Sequence, residues 1–318
     1  MSYTSKILVT GGAGFIGSNL TEELVKRGAK VTVIDNLVTG FRENLEEIKG
    51  DFDFIEGDIN NDNKLKQAVE GAEVIFHQAA LPSVPRSVEN PLETHEACVN
   101  GTFKVLLKAK EANVRRVVYA ASSSAYGNQE ILPKEETMLP EPLSPYAAAK
   151  LMGEYYCQVF NNVYGLETLC LRYFNVFGPR QNPSSQYSGV ISRFVDALMS
   201  NKTPVIYGDG ETTRDFTYID NVVDANIKAA QTTEGIGKVI NVANGDRITL
   251  NELLEVLKKI TNQLDVQADY QSERSGDVKH SQASNQRAVD YLDYEKLVGL
   301  EEGLRNTVSW WKQSRFAI

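Results

Sequence analysis

The chain is 318 residues long, 42% hydrophobic and 24% charged. That is ordinary globular composition, with length for a large core and two domains. Its formal net charge is −9 and no dense lysine/arginine cluster interrupts it, which argues against nucleic acid or an anionic membrane surface as partner. No apolar run reaches membrane-spanning length, and the residues ahead of the first strand pattern are not expected to act as a signal peptide. Cys98, Cys157 and Cys170 are far apart in sequence and match neither a disulfide framework nor a zinc spacing. Buried reduced thiols, a cytoplasmic setting and no metal site are therefore expected.

In chain order, residues 7–10 form a short apolar strand that runs into Gly11-Gly12-Ala13-Gly14-Phe15-Ile16-Gly17, and a helical segment follows over 18–27. Further strands are expected at 30–34, closed by Asp35, and at 52–58, 74–77, 116–120 and 168–172, mostly separated by helix-length segments. Alternating strands and helices give a parallel sheet covered on both faces, and the continuous apolar character of the strands fits that burial. After Arg172 the rhythm changes. Residues 175–186 read as loop, helices are expected at 190–199, 221–232, 250–261 and 301–312, and short strands at 204–207 and 239–242. The expected architecture is a Rossmann-type α/β domain (1–174 and 216–242) with a smaller mixed α/β substrate domain (175–215 and 243–318).

The glycines at 11, 14 and 17 sit between a strand and a helix. Glycine there permits a tight turn and close approach of backbone N–H groups to a pyrophosphate at a helix N-terminus. Asp35 ends the next strand, 18 residues beyond Gly17, at the spacing of a ribose-binding acid. An acid there repels a 2′-phosphate, so NAD is favoured over NADP. Asp58 and Ile59 can flank an adenine, and Ala79 and Ala80 can line the cofactor.

Ser144-Pro145 opens a helix in which Tyr146 and Lys150, four residues apart, share a face. An ammonium one turn away and the positive end of the helix both favour a phenolate, so the pair reads as a proton-transfer device. Spacing alone does not choose among Ser122, Ser123 and Ser124 as its partner.

Together these motifs, with Arg172-Tyr173-Phe174-Asn175-Val176-Phe177-Gly178-Pro179-Arg180, Tyr207-Gly208-Asp209-Gly210 and Thr213-Arg214-Asp215-Phe216, resemble the extended short-chain dehydrogenase/reductase family, and within it the nucleotide-sugar 4-epimerases. The resemblance runs nearly end to end. It implies a seven-stranded sheet, tightly held NAD and a homodimer built on the helix before Val114 and the helix of Tyr146. Phe15, Ile16, Asn36, Gln78, Tyr173 and Val176 would join the cofactor contacts. Tyr146 would take the proton of the sugar 4-hydroxyl, Lys150 would bind the nicotinamide ribose, and Ser122, with Ser123 second, would relay the proton. Related dehydratases and decarboxylases carry acids at the positions of Ser123 or Ser124. Hydroxyls there imply epimerisation.

On the substrate side the resemblance assigns Asn175, Arg214 and Arg274 to the diphosphate, Asp277 to the uridine ribose, and Val190 and Tyr207 to the uracil. Ser281 is small where glucose-restricted relatives often carry tyrosine, and Ser83 lies in a stretch that looks like the N-acetylhexosamine branch. UDP-N-acetylglucosamine and its C4 epimer are the expected pair, with UDP-glucose and UDP-galactose also accepted. Cys98 departs from the family, which usually has asparagine there. The three histidines read as structural. UDP-glucuronate epimerisation and a non-catalytic NAD-bound scaffold stay open as alternatives.

Overall fold

A computed structural model describes residues 6–182, 189–273 and 279–314. The first half runs through β1 (Lys6–Thr10), α1 (Phe15–Lys26), β2 (Lys30–Asp35), α2 (Arg42–Glu46), β3 (Asp53–Glu56), α3 (Asp62–Val69) and β4 (Val74–His77). It continues with α4 (Val84–Glu89), α5 (Pro91–His95), a π-helical turn (Glu96–Asn100), α6 (Gly101–Glu111), β5 (Arg116–Ser122), a 3-10 turn (Ser123–Tyr126), α7 (Pro145–Tyr164) and β6 (Glu167–Tyr173). The second half carries β7 (Val176–Phe177), α8 (Val190–Met199), β8 (Val205–Tyr207), β9 (Thr213–Arg214), β10 (Thr217–Tyr218), α9 (Ile219–Gln231), β11 (Val239–Val242), β12 (Ile248–Thr249), α10 (Leu250–Thr261), β13 (Asp269–Gln271), α11 (Gln286–Leu292) and α12 (Leu300–Gln313).

Seven strands form one parallel sheet in the order β11-β6-β5-β4-β1-β2-β3. Successive residues of each strand feed opposite cores: Val9, Val33, Phe76, Val118 and Leu171 pack on one face, Leu8, Ile34, Ile75, Val117 and Cys170 on the other. The order reverses between β1 and β4. In open α/β sheets that is where a crevice opens beyond the strand ends, and Gly11 and Gln78 follow those two strands. The last strand, β11, pairs with β6 from Cys170↔Val239 to Tyr173↔Val242, so the sheet is completed by chain that has already passed through the second lobe. That lobe uses two-residue and three-residue ladders, β7 with β10, β9 with β12 and β8 with β13.

α7 is built as its sequence dictates. The Ser144 hydroxyl accepts the Ala147 N–H at 3.1 Å, Pro145 takes the first helical position, and Gly165 in the left-handed region (φ 70°) ends the helix. Its inner face meets β5 closely: a Cβ on Gly153 would lie 2.2 Å from the Tyr119 hydroxyl. This seats Tyr119 directly beneath the helix turn that carries Lys150.

Candidate active site

A cavity of about 830 Å³ opens at the strand-order reversal. Every residue expected to hold the cofactor lines it: Gly11, Gly14, Phe15, Ile16, Gly17, Asp35, Asn36, Asp58, Ile59, Gln78, Ala79, Ala80, Tyr146, Lys150, Tyr173 and Val176. Gly11 adopts φ 70°, and a Cβ on Gly17 would sit 2.2 Å from the Gly11 carbonyl oxygen, so the loop folds onto the start of α1 only with glycine there. No side chain caps that helix, which leaves its first-turn N–H groups to an anion. Asp35 braces the loop, accepting the N–H of Ala13 at 3.0 Å and of Leu37 at 2.8 Å. Burial pushes its carboxyl up, and those backbone donors hold it back. Asn36 donates to Asp58 at 2.7 Å, tying the ends of β2 and β3 together. Gln78 donates to the hydroxyl of Tyr173 and to Asn226, each at 3.1 Å. Burial pushes the Tyr173 phenol up to about 12, so it stays a neutral donor. An uncapped helix start, a loop that tolerates no Cβ at Gly11 or Gly17 and a buried acid at the next strand end fit a dinucleotide, its pyrophosphate at α1 and its ribose near Asp35.

At the far end of this wall the Ser122 hydroxyl lies 2.8 Å from the Ser124 hydroxyl and accepts the Ser124 N–H at 3.2 Å. Tyr146 lines the cavity beside it, and the Ser122 side chain holds the Tyr146 phenol down against the effect of burial. Ser123 and Ser124 line the cavity as well. Lys150 is only 3% exposed, and its Nζ stands 4.6 Å from the centroid of the Tyr119 ring. In the protein alone, Tyr146 is not shifted as the sequence suggests. Burial pushes its phenol up, the neighbouring Cys98 adds to that, and the Ser122 hydrogen bond pulls the other way. Burial likewise pulls the Lys150 ammonium down. Desolvation therefore dominates both groups.

The substrate wall is less regular. Ser83, Asn175, Arg214 and Ser281 line the cavity. The Ser83 hydroxyl also caps α4 through the Arg86 N–H at 3.1 Å, and Asn175 donates to the Asp215 carbonyl at 2.8 Å. Arg214 donates to the Thr213 carbonyl at 2.9 Å. Val190 and Tyr207 do not line this cavity. Val190 opens α8, and the Tyr207 ring faces the Arg193 guanidinium 5.8 Å away. Arg274 and Asp277 lie outside the described residues.

Two wall residues escape a reading of the sequence. Lys134 is 2% exposed and reaches the cavity because its backbone pairs with the segment after Ser281, donating its N–H to the Gln282 carbonyl at 2.7 Å. His280, read as structural, lines the cavity and holds the Thr213 hydroxyl at 2.9 Å. Neither carries a local sequence signal, since strand pairing over long separation brings them in. His77 is structural: it is fully buried between the hydroxyls of Thr10 (2.7 Å) and Thr102 (3.0 Å), and burial takes its pKa down to about 3. Cys98 sits in the π-helical turn, and its Sγ accepts the Leu81 N–H at 3.5 Å, bracing the turn after Ala80. Cys157 and Cys170, remote in sequence, meet side by side between α7 and β6, and all three thiols are buried and free. Among the described residues no cluster of three or more His, Cys, Asp or Glu could hold a metal ion, and no helix is long and apolar enough to cross a membrane.

A parallel sheet with its crevice at the strand-order reversal, a glycine turn feeding a helix, and a serine–tyrosine–lysine cluster beside it define an extended short-chain dehydrogenase/reductase. The model of the NAD dependent epimerase/dehydratase family matches residues 7–243. The chain is 37% identical over 311 residues to a UDP-glucose 4-epimerase of Mycolicibacterium smegmatis, covering 96% of this chain and 98% of the relative. A UDP-N-acetylglucosamine 4-epimerase from Methanobrevibacter ruminantium, solved with UDP-N-acetylmuramic acid, superposes with a TM-score of 0.93 at 38% identity, covering 98% of this chain and 99% of that one. A UDP-glucuronic acid 4-epimerase from Bacillus cereus, solved with UDP-glucuronic acid and NAD, does so with a TM-score of 0.90 at 31% identity, covering 97% and 99%. The chain belongs to the NAD-dependent epimerase/dehydratase family. Within it the chain is an isomerase of the UDP-sugar 4-epimerase group, with NAD as its cofactor.

Proposed function

We propose that the protein interconverts UDP-N-acetylglucosamine and UDP-N-acetylgalactosamine, and accepts UDP-glucose and UDP-galactose as well. The observation that carries this is Ser281, a small hydroxyl residue on the substrate wall, which leaves room for a 2-acetamido group without excluding a hydroxyl. A second feature supports epimerisation over elimination or decarboxylation. The only carboxylate residues among the described lining are Asp35 and Asp58, both at the adenosine end. The sugar end therefore offers hydroxyls and no additional acid.

In this reading the Gly11–Gly17 loop, Asp35 and Lys150 would hold NAD, which would supply a reversible hydride acceptor for C4. Tyr146 removes the proton of the sugar 4-hydroxyl and gives it back, and Ser122, on the same cavity wall, relays it. Ser123, which lines the same cavity, is second to Ser122 in that role. Lys150 holds the nicotinamide ribose and keeps a positive charge near the phenol. Asn175 and Arg214 take the diphosphate, and Arg274 and Asp277 are assigned to the diphosphate and uridine ribose from the family pattern. Val190 and Tyr207 are assigned to the uracil from the family pattern, outside the described lining of the cavity.

UDP-glucuronate is a second reading, and Lys134 favours it. Its buried ammonium on the cavity wall is the kind of group a sugar carboxylate would meet. The deciding experiment incubates the purified protein separately with UDP-N-acetylglucosamine, UDP-glucose and UDP-glucuronate and resolves the products. The expected result is a C4 epimer from the first two, reduced on the order of a thousandfold by Tyr146→Phe. An epimer from UDP-glucuronate alone replaces this assignment with the second reading. No epimer from any, with NAD bound, returns the scaffold alternative.

We also propose a homodimer through α6 and α7, in a cytoplasmic setting suited to the three reduced cysteines. The outward face of α7 exposes Met152, Tyr155, Val159 and Val163, joined by Phe103 of α6. Their spacing makes one continuous apolar stripe. Val159→Lys is expected to shift sedimentation from dimer to monomer.

A further inference from the structure

A buried ion pair lies behind the reacting residues, and the chemistry above does not use it. Glu154 follows Lys150 by one turn of α7, on the same face. Arg172 reaches it from β6, with Nε donating to Oε1 at 2.8 Å and Nη2 to Oε2 at 2.7 Å. The side chains are 4% and 2% exposed. The guanidinium also stacks on Tyr126, 4.6 Å from its ring centroid, and Tyr126 closes the 3-10 turn that follows Ser122. A pair this deep is weak evidence for stability, because well-packed apolar groups of similar volume often do as well or better. Its place behind Lys150 calls for another explanation.

We propose that Glu154 and Arg172 are positioning residues for Lys150 and Tyr146: their bidentate pair keeps the layer behind the catalytic helix neutral, so that Lys150 alone presents a full charge to the phenol. The proposal rests on the reading of Tyr146 and Lys150 as the reacting pair. The other titratable groups around Lys150 are His77 from β4, Cys98 from the π-helical turn, Tyr119 from β5, Cys157 from α7 and Cys170 from β6. Burial holds His77 and Tyr119 neutral. Farther out, Glu136 faces Tyr126 and Arg172 and is itself 3.7 Å from Arg287. Among these groups, Glu154 is the carboxylate whose charge Lys150 feels.

Glu154→Gln leaves the Arg172 guanidinium uncompensated. The added positive charge favours the Tyr146 phenolate and disfavours the Lys150 ammonium, so both limbs of the pH–rate profile move to lower pH, by about one unit. KM for the nucleotide sugar stays where it was. The double variant Glu154→Gln/Arg172→Met removes the extra charge, and its profile returns to that of the parent even where kcat is lower. The phenolate absorbance of the NAD-loaded protein, taken as a difference from Tyr146→Phe in each background, follows the same shifts without turnover. An unshifted profile and titration in Glu154→Gln overturns the proposal, as does a shift that persists in the double variant. If Glu154→Gln does not fold, Arg172→Lys keeps the charge while losing the fork. Its profile is expected to stay in place, and a shift overturns the proposal. Turnover that survives Tyr146→Phe overturns the site reading and this proposal together. An inactive Tyr146→Phe beside an unshifted Glu154→Gln overturns this proposal alone.

Discussion

The two walls of the cavity are made differently. The cofactor wall is a set of strand ends and one helix start, and its shape is largely backbone: the loop of Gly11 to Gly17, the turn after β4, the end of β2 at Asp35. The substrate wall is side chains on short ladders and loops, with Ser83, Lys134, Asn175, Arg214 and Ser281 arriving from widely separated parts of the chain. Backbone geometry is hard to vary without losing the fold. Side chains on short ladders change one at a time. A family can therefore keep one cofactor and one oxidation step while its members diverge in sugar. The neighbours, solved with UDP-N-acetylmuramic acid and with UDP-glucuronic acid, display that divergence on one fold.

The comparison breaks most severely at Gly17. Valine there would place a Cβ 2.2 Å from the Gly11 carbonyl oxygen. Purified Gly17→Val is expected to carry almost no NAD and to lose roughly a hundredfold or more of its turnover. Full NAD content in that variant would sink the view that the wall depends on backbone approach.

The support beneath the same wall gives a smaller effect that depends on pH. His77 is held neutral, its pKa taken from 6.5 down to about 3 by burial. A depressed histidine contributes stability that is fully present above pH 6.5, and the unfolded chain binds the proton more readily between pH 6.5 and 3. Stability should therefore fall as pH drops through that window, by ~1.4 kcal/mol per unit. Denaturant titrations at pH 7 and pH 5 would measure it. His77→Gln should be less stable at pH 7 and flatter with pH, and an equal slope in both proteins would count against this origin.

Ser281→Tyr sharpens the comparison from the other side with the smallest effect. It should cut turnover of UDP-N-acetylglucosamine by about tenfold or more while leaving UDP-glucose turnover within a few fold. NAD content should not change. A parallel loss on both sugars would show that the residue acts on something other than the 2-substituent.

The cofactor wall is the more legible in sequence for the reason that makes it hard to alter. Its determinants are contiguous, as in Gly11 to Gly17, or sit at a strand end with a readable apolar run before it, as Asp35 and Ala79 do. Tyr146 and Lys150 are legible because helical spacing and the Ser144-Pro145 start fix their common face. Lys134 and His280 are illegible because each owes its place to pairing over long sequence separation, at Lys134↔Ala283 and Thr213↔His280. Val190 and Tyr207 lie outside the described lining of the cavity, Tyr207 on the short ladder of β8 and β13.

Sequence alone thus determines the strand–helix alternation, the glycine turn, the acid after β2 and the helix that presents Tyr146 to Lys150, since all follow from local periodicity and capping. Only the tertiary structure decides which way that pair is shifted, because desolvation depends on everything packed around it and here pushes the phenol up and the ammonium down. It also decides that Glu154 meets Arg172 across α7 and β6, that Cys157 lies against Cys170, and that a lysine from a loop lines the cavity. Each is a contact between residues no local rule relates, made by the order in which the strands were laid into the sheet.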